Sequence, residues 1–160
     1  MSWDSYLPSL TQDKDGKATN AGAMLLDLNA TPLAKSPELD LLAYTHDMEL
    51  DDGTTKTVNV NEFEILKNRK TRALSQPVIT KGIPGSECGI RFGKKKYMDV
   101  TKPDSNPGEK YFKGSKRGAV LMKLNKIAIF VIWDEEKGHV PAKVTQQVGS
   151  VADYLRSKDL

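Results

Sequence analysis

The chain has 160 residues, 38% hydrophobic and 28% charged, the balance expected of an ordinary soluble globular protein. Its longest wholly apolar run, Ile127 to Trp133, is too short to span a bilayer as a helix, and the lone Cys88 excludes an internal disulfide. The formal net charge of +3 hides an asymmetry: residues 1–66 carry twelve acidic and four basic side chains, residues 90–126 three acidic and eleven basic, so an anionic partner is expected for the middle of the chain.

A chain of this length is expected to fold as a single domain, 1–160, without help from metals or disulfides. No signal-peptide pattern precedes Trp3, which with the single cysteine predicts a cytoplasmic protein. Trp3, Tyr6, Leu7 and Leu10 recur at i, i+3, i+4 and i+7, one apolar stripe of a helix that Ser2 can cap. Pro8 inside that stripe lacks an N–H and should shorten or kink it.

Ala21 to Leu28 reads as a strand, and Asn29 to Pro32 as the turn into a short strand near Leu33. Pro37 opens a helical or irregular segment through Tyr44. Met48 to Val60 places Asp52-Gly53 between two extended stretches, which predicts a projecting β-hairpin over 47–60 with a type I′ turn. Asn61 can cap a helix with Phe63, Leu66 and Ala73 inward and Lys67, Arg69, Lys70 and Arg72 in water, ending by Pro77.

From Cys88 onward the pattern turns to strands: Gly89 to Phe92, Lys96 to Thr101, Lys110 to Lys113, Ala119 to Leu124 and Lys126 to Asp134. Tight connections such as Leu124-Asn125-Lys126 imply antiparallel neighbours. The uninterrupted apolar run Ile127 to Trp133 must be covered on both faces. Val144, Val148, Val151 and Leu155 form a second helical stripe near the C-terminus. The predicted fold is an α/β (α+β) domain of three layers, α/β/α, with both terminal helices on one face of an antiparallel sheet.

Several segments, in this order, resemble the profilins, small proteins that bind actin monomers. They are Met1-Ser-Trp-Asp-Ser-Tyr-Leu7, Gly89 to Val100 with its Lys-Tyr-Met, the basic hairpin Lys113-Gly-Ser-Lys-Arg-Gly118, Ile127 to Glu136, and Val148 to Leu160. The Met48 to Val60 hairpin looks like the acidic insertion of apicomplexan members, so the resemblance is to a divergent protist-like or archaeal-like profilin. It implies a regulator of actin polymerisation that sequesters monomers, delivers them to filament ends and tunes their nucleotide exchange, monomeric and associated with the cytoskeleton.

The resemblance also implies three sites. Matching positions for actin are Lys96, Met98, Lys113, Lys116, His139, Val140, Thr145 and Gln146. Those for a proline-rich peptide are Trp3, Tyr6, Leu33, Tyr154, Leu155 and Leu160. A polyproline II segment offers carbonyls and flat rings, so aromatics with O–H or N–H groups suit it. Leu33 stands where profilins usually carry a third groove tryptophan, which removes a stacking plate and a donor and predicts weakened binding. Lys94, Lys95, Lys96, Lys110, Lys113, Lys116 and Arg117 are the expected phosphoinositide ligands.

Catalytic readings find little footing. His46 and His139 have no partners at metal-ligand spacing, so no metal or cofactor is expected. Asp134-Glu-Glu136 reads as a solvated turn, and Gly82 to Gly93 lacks the Lys-Ser/Thr ending of a phosphate loop. Two alternatives remain: an α/β/α ligand-sensing module, which needs a cavity between helix and sheet, and a basic-face nucleic-acid binder. The latter lacks a stacking platform beyond Tyr97, Tyr111 and Phe112, and no nucleic-acid partner is expected.

Overall fold

The computed structural model describes residues 2–66, 90–100, 102 and 108–160. The expectations placed on Lys67, Arg69, Lys70, Arg72, Ala73, Pro77, Cys88, Gly89 and Thr101 lie outside those residues. The apolar run becomes the strand Ile127–Asp134, here β9, an interior strand of a seven-stranded sheet. Its neighbours are β1 (Gly22–Asp27) and β8 (Arg117–Lys123), both antiparallel. Outward from these lie β2 (Pro32–Lys35) on one side and β7 (Glu109–Gly114), β6 (Lys95–Asp99) and β5 (Ile90–Phe92) on the other.

A strand flanked on both edges by partners and on both faces by side chains has no polar position to spare. Ile127, Ile129, Val131 and Trp133 enter one core cluster, and Ala128 and Phe130 the other. The first cluster is closed by Leu10 of α1 (Leu7–Thr11) and by Val144, Val148, Val151, Ala152 and Leu155 of α3 (Pro141–Ser157). At ~1.5–3 kcal/mol for each fully buried aliphatic side chain, this stripe is what holds α3 on the sheet. On the other face Phe92 lies 4.9 Å from Phe130, 5.2 Å from Tyr97 and 5.3 Å from Phe112, ring centroid to ring centroid. Leu39, Leu41 and Leu66 of α2 (Glu62–Leu66) pack there too, completing the third layer.

The N-terminal stripe does not form one helix. Trp3–Tyr6 is a 3-10 turn, whose N-cap Ser2 accepts the Asp4 N–H, and α1 follows. Pro8 falls in the first turn of α1, where its missing N–H removes no helical bond.

The segment from Pro37 is irregular only as far as Leu42, because Ala43 and Tyr44 already belong to β3 (Ala43–Glu49), which pairs with β4 (Thr55–Asn61). The hairpin is thus longer than the 47–60 span expected from sequence. Its turn also differs from the type I′ expectation. Gly53 donates to the Leu50 carbonyl at 2.9 Å and Leu50 to that of Thr54 at 2.7 Å, leaving a three-residue loop in which Gly53 takes φ +84° and Asp52 does not turn positive. That is a type I turn closed by a left-handed glycine, the usual solution for three residues. Asn61 caps α2, its side chain accepting the Phe63 N–H at 3.2 Å.

Candidate functional site

Two surfaces gather the candidate residues. The first lies where the chain's ends meet. Trp3 and Tyr6 sit 6.1 Å apart at an interplanar angle of 46°, and Tyr6 and Tyr154 6.5 Å apart at 55°, so three tilted rings run from the 3-10 turn to α3. Tyr154 is 52% exposed, and Lys158 places its ammonium 5.6 Å from the Tyr154 ring centroid. A depression of about 420 Å³ opens between Tyr6, Ser9, Ser150 and Tyr154. Leu33 and Leu160 are half-buried against the same core.

Leu155 differs from its expected role: it is fully buried in the core cluster beneath α3 and offers no surface to this groove. The residue that joins the two ends is one the sequence did not mark. The Gln147 amide donates to the carbonyls of Ser9 and Gln12 at 2.9 and 2.8 Å and accepts from the Thr19 hydroxyl at 2.6 Å. A polar residue on a helix gives no sign of such reach until the neighbouring segment is in place.

The second surface is the flank of the sheet beyond α3. In β6 and β7 Met98 pairs with Lys113, and alternation puts Lys96 and Val100 on the same side. Met98 is 66% exposed and Val100 46%, an apolar island between exposed lysines. Val100 was not among the expected residues; its period-2 relation to Lys96 and Met98 was the available signal. Val140, 45% exposed, and Thr145 and Gln146 stand at the start of α3. A cavity of about 440 Å³ lies between the two elements, lined by Lys113, Tyr111, Trp133, Pro141, Ala142 and Thr145 among others.

Several expected members stand elsewhere. His139 lines a different depression, beside Leu7, Thr11 and Pro37, and its Nδ1 accepts the Asp134 N–H at 3.0 Å. Burial holds its pKa below the ordinary 6.5, against the opposing pull of Asp134. Lys110 pairs with Leu121, whose side chain enters the second core cluster, so it stands on the face opposite Lys113. Lys116, at the β7–β8 turn, lies 4.0 Å from Glu136.

Lys94 holds its ammonium 5.3 Å from the Tyr44 ring centroid. Arg117 donates to the Lys96 carbonyl at 2.6 Å and the Ser115 carbonyl at 3.3 Å and stacks 5.2 Å from the Tyr97 centroid. Lys95 and Lys116 border a depression shared with Glu38, Asp40, Asp134 and Glu136. The expected lysine cluster is therefore divided, with Lys96 and Lys113 the pair that shares a face.

Beyond the first turn of α3 its interface with the sheet is filled by Val144, Val148, Val151 and Leu155, so the space between this helix and the sheet that the described residues leave open is the cavity beside Pro141, Ala142 and Thr145. Among the described residues no helix is long and apolar enough to cross a membrane, and no group of three His, Cys, Asp or Glu could hold a metal ion.

The sequence model of the Profilin family matches residues 1–160. Profilin IB of Acanthamoeba castellanii superposes with a TM-score of 0.62 at 18% identity, and profilin IA of the same organism with 0.61 at 16%. Profilin of Schizosaccharomyces pombe gives 0.61 at 14%, and all three alignments cover 99% of this chain and 100% of the other. At such identities the structural likeness is one of fold. No curated protein sequence matches the chain at a significant level.

Proposed function

The chain belongs to the profilin family, a non-enzymatic family of actin-binding regulators, and from that premise we propose that it binds actin monomers through the β6–β7 flank and the start of α3. The observation that carries this reading is the pairing of Met98 with Lys113: an exposed apolar side chain beside a cation, with Lys96 on the same side, on a flank that α3 leaves uncovered. Met98, Val100 and Val140 supply apolar contact, while the lysines steer encounter with an acidic surface. Monomers held this way are sequestered or passed to filament ends, and exchange of their nucleotide is tuned by preference for one conformation of actin. The site of action is the cytoplasm and its cytoskeleton.

The rings of Trp3, Tyr6 and Tyr154 support a second surface on the same protein, a groove for proline-rich peptides. With leucine at position 33 it binds weakly. Phosphoinositides engage Lys96 and Lys113, each worth roughly 1 kcal/mol at an anionic surface, and compete with actin for them.

The test is retention of actin monomers by Lys96→Glu plus Lys113→Glu, with Lys110→Glu, on the opposite face, as control. The double variant is expected to bind at least about tenfold more weakly and the control to behave as wild type. Equal retention by all three proteins rejects the assignment of this flank.

A further inference from the structure

Three neighbouring strands contribute one residue each to a row: Lys113 on β7 pairs with Gly118 on β8, and Gly118 with Trp133 on β9. The middle residue decides what the row can do. With no side chain at Gly118, the indole of Trp133 lies down across it; a Cβ there would stand 2.2 Å from Cζ2, 2.4 Å from Cε2 and 2.9 Å from Nε1. The nitrogen-bearing edge of the ring therefore overlies β8, on the side of Lys113.

Trp133 is 7% exposed, and its Nε1 is buried without a hydrogen-bond acceptor among the described residues. Such a donor has lost water and gained no partner, an arrangement that native proteins rarely keep without a use for it. Trp133 lines the 440 Å³ cavity, whose walls include the apolar surfaces of Val100, Tyr111 and Pro141. Three cations, Lys102, Lys113 and Arg117, border it against one carboxylate, Glu135. The first turn of α3 opens on it as well, with Val140 at the cap position and so no side chain to satisfy its N–H groups. The partial positive charge of that helix end adds to the lysines.

We infer that this cavity is a binding site for a small aryl carboxylate, with the Trp133 N–H and the Lys113 ammonium holding the carboxylate and Tyr111 and Pro141 flanking the ring. The volume falls in the range of ~300–1,000 Å³ typical of pockets for small organic ligands. Arg117 contributes field alone, since its terminal nitrogens already donate to the Lys96 and Ser115 carbonyls. An uncharged aromatic would leave the cations without a partner, and a bare inorganic anion would leave the apolar walls wet; a flat ring bearing one carboxylate satisfies both.

The probe is naphthoate, with naphthamide as its uncharged counterpart, added to the full chain without actin. The two indole N–H resonances are followed by NMR, and Trp3→Phe identifies the one from Trp133. Naphthoate is expected to move the Trp133 resonance saturably and leave that of Trp3 in place. Naphthamide, and naphthoate with Lys113→Glu, are each expected to bind at least about tenfold more weakly. Ala142→Phe, at an exposed position of α3, fills the cavity and abolishes the shift while circular dichroism and melting temperature stay unchanged. A Trp133 resonance that stays still at millimolar naphthoate, moves equally for naphthamide, or still moves in a folded Ala142→Phe overturns the inference. No arm contains actin, so failure here and failure of the actin reading are separate results.

Discussion

The carboxylate of Glu62 accepts the backbone N–H of Gly93 at 2.7 Å, fastening the end of the β3–β4 hairpin to the turn between β5 and β6. Glu62 is fully buried and accepts three further bonds, from the N–H groups of Leu42 and Lys94 at 3.0 and 2.9 Å and from the Tyr44 hydroxyl at 3.0 Å. Donors on this scale are what make a buried carboxylate tolerable. Two of them come from the segment before the hairpin's end and two from a turn about thirty residues later, so one side chain orients the whole β3–β4 unit.

Glu62→Ala should remove the acceptor shared by the part-buried N–H groups of Leu42, Gly93 and Lys94. Each buried donor left unpaired costs about 1–3 kcal/mol, and with water entering to serve some of them the net loss is on the order of 3 kcal/mol. Glu62→Gln should cost less, since it keeps one carbonyl oxygen but turns an amide N–H₂ against a backbone donor. Urea denaturation of the two variants measures both. A loss below about 1 kcal/mol in Glu62→Ala would show that the clasp does not hold the hairpin.

Tyr97 should be among the last tyrosines to ionise. Burial raises its pKa to about 12, with Arg117 pulling the other way and Asp134 and Glu62 adding to the rise. The unfolded chain releases this proton near the ordinary 10, earlier than the folded one, so folding stability falls as pH climbs from about 10 toward 12. In Tyr97→Phe the late component of the phenolate absorbance should vanish and this part of the alkaline decline flatten. An unchanged titration curve in that variant would place the perturbed phenol elsewhere.

Much of the scaffold was legible because its signals are local. Val144, Val148, Val151 and Leu155 repeat at the pitch of a helix, and Ile127 to Trp133 leaves no polar face, so each element announces both its type and its burial. Asp52-Gly53 located a turn but not its geometry, because the same pair suits two loop lengths and only the pairing of Leu50 with Thr54 decides between them. The sites were less legible for a related reason. Lys110 and Lys113 look like one cluster in sequence, yet odd spacing along a strand sends them to opposite faces. Glu62, Gln147 and the Gly118–Trp133 stack depend on partners far away in the chain, and no local pattern encodes those.

His139 carries the opposite pH signature to Tyr97. Its Nδ1 accepts the Asp134 N–H, so protonation would remove an acceptor and place a charge where burial already disfavours it. The folded pKa is lowered, and the unfolded chain therefore takes up the proton first. This contribution to stability is present above about 6.5 and is lost as pH falls from there through the folded value. Replacing the imidazole in His139→Gln should remove that part of the acid-side slope in the urea midpoint. A histidine resonance for His139 titrating above 6.5 in the folded protein would contradict the argument.

Gln147 offers the sharpest test of how the groove is built, because it lies outside the aromatic surface yet fixes both of its walls. Its amide spans from α3 to Ser9 and Gln12 and takes the Thr19 hydroxyl in return, so Gln147→Ala removes three bonds while touching none of Trp3, Tyr6 or Tyr154. The bonds are partly exposed, and water can replace them, which limits the stability loss to about 1–2 kcal/mol. The groove should suffer more than the fold. If α1 and the 3-10 turn loosen from α3, the spacing between Tyr6 and Tyr154 is no longer held at 6.5 Å, and a stiff polyproline segment cannot adapt to the change. Polyproline titration followed by Trp3 emission should then weaken several-fold in Gln147→Ala, with actin retention unaltered, since Lys96, Met98 and Lys113 sit on strands that Gln147 does not touch. Equal weakening of both would mean that the helix, and not the groove alone, had shifted.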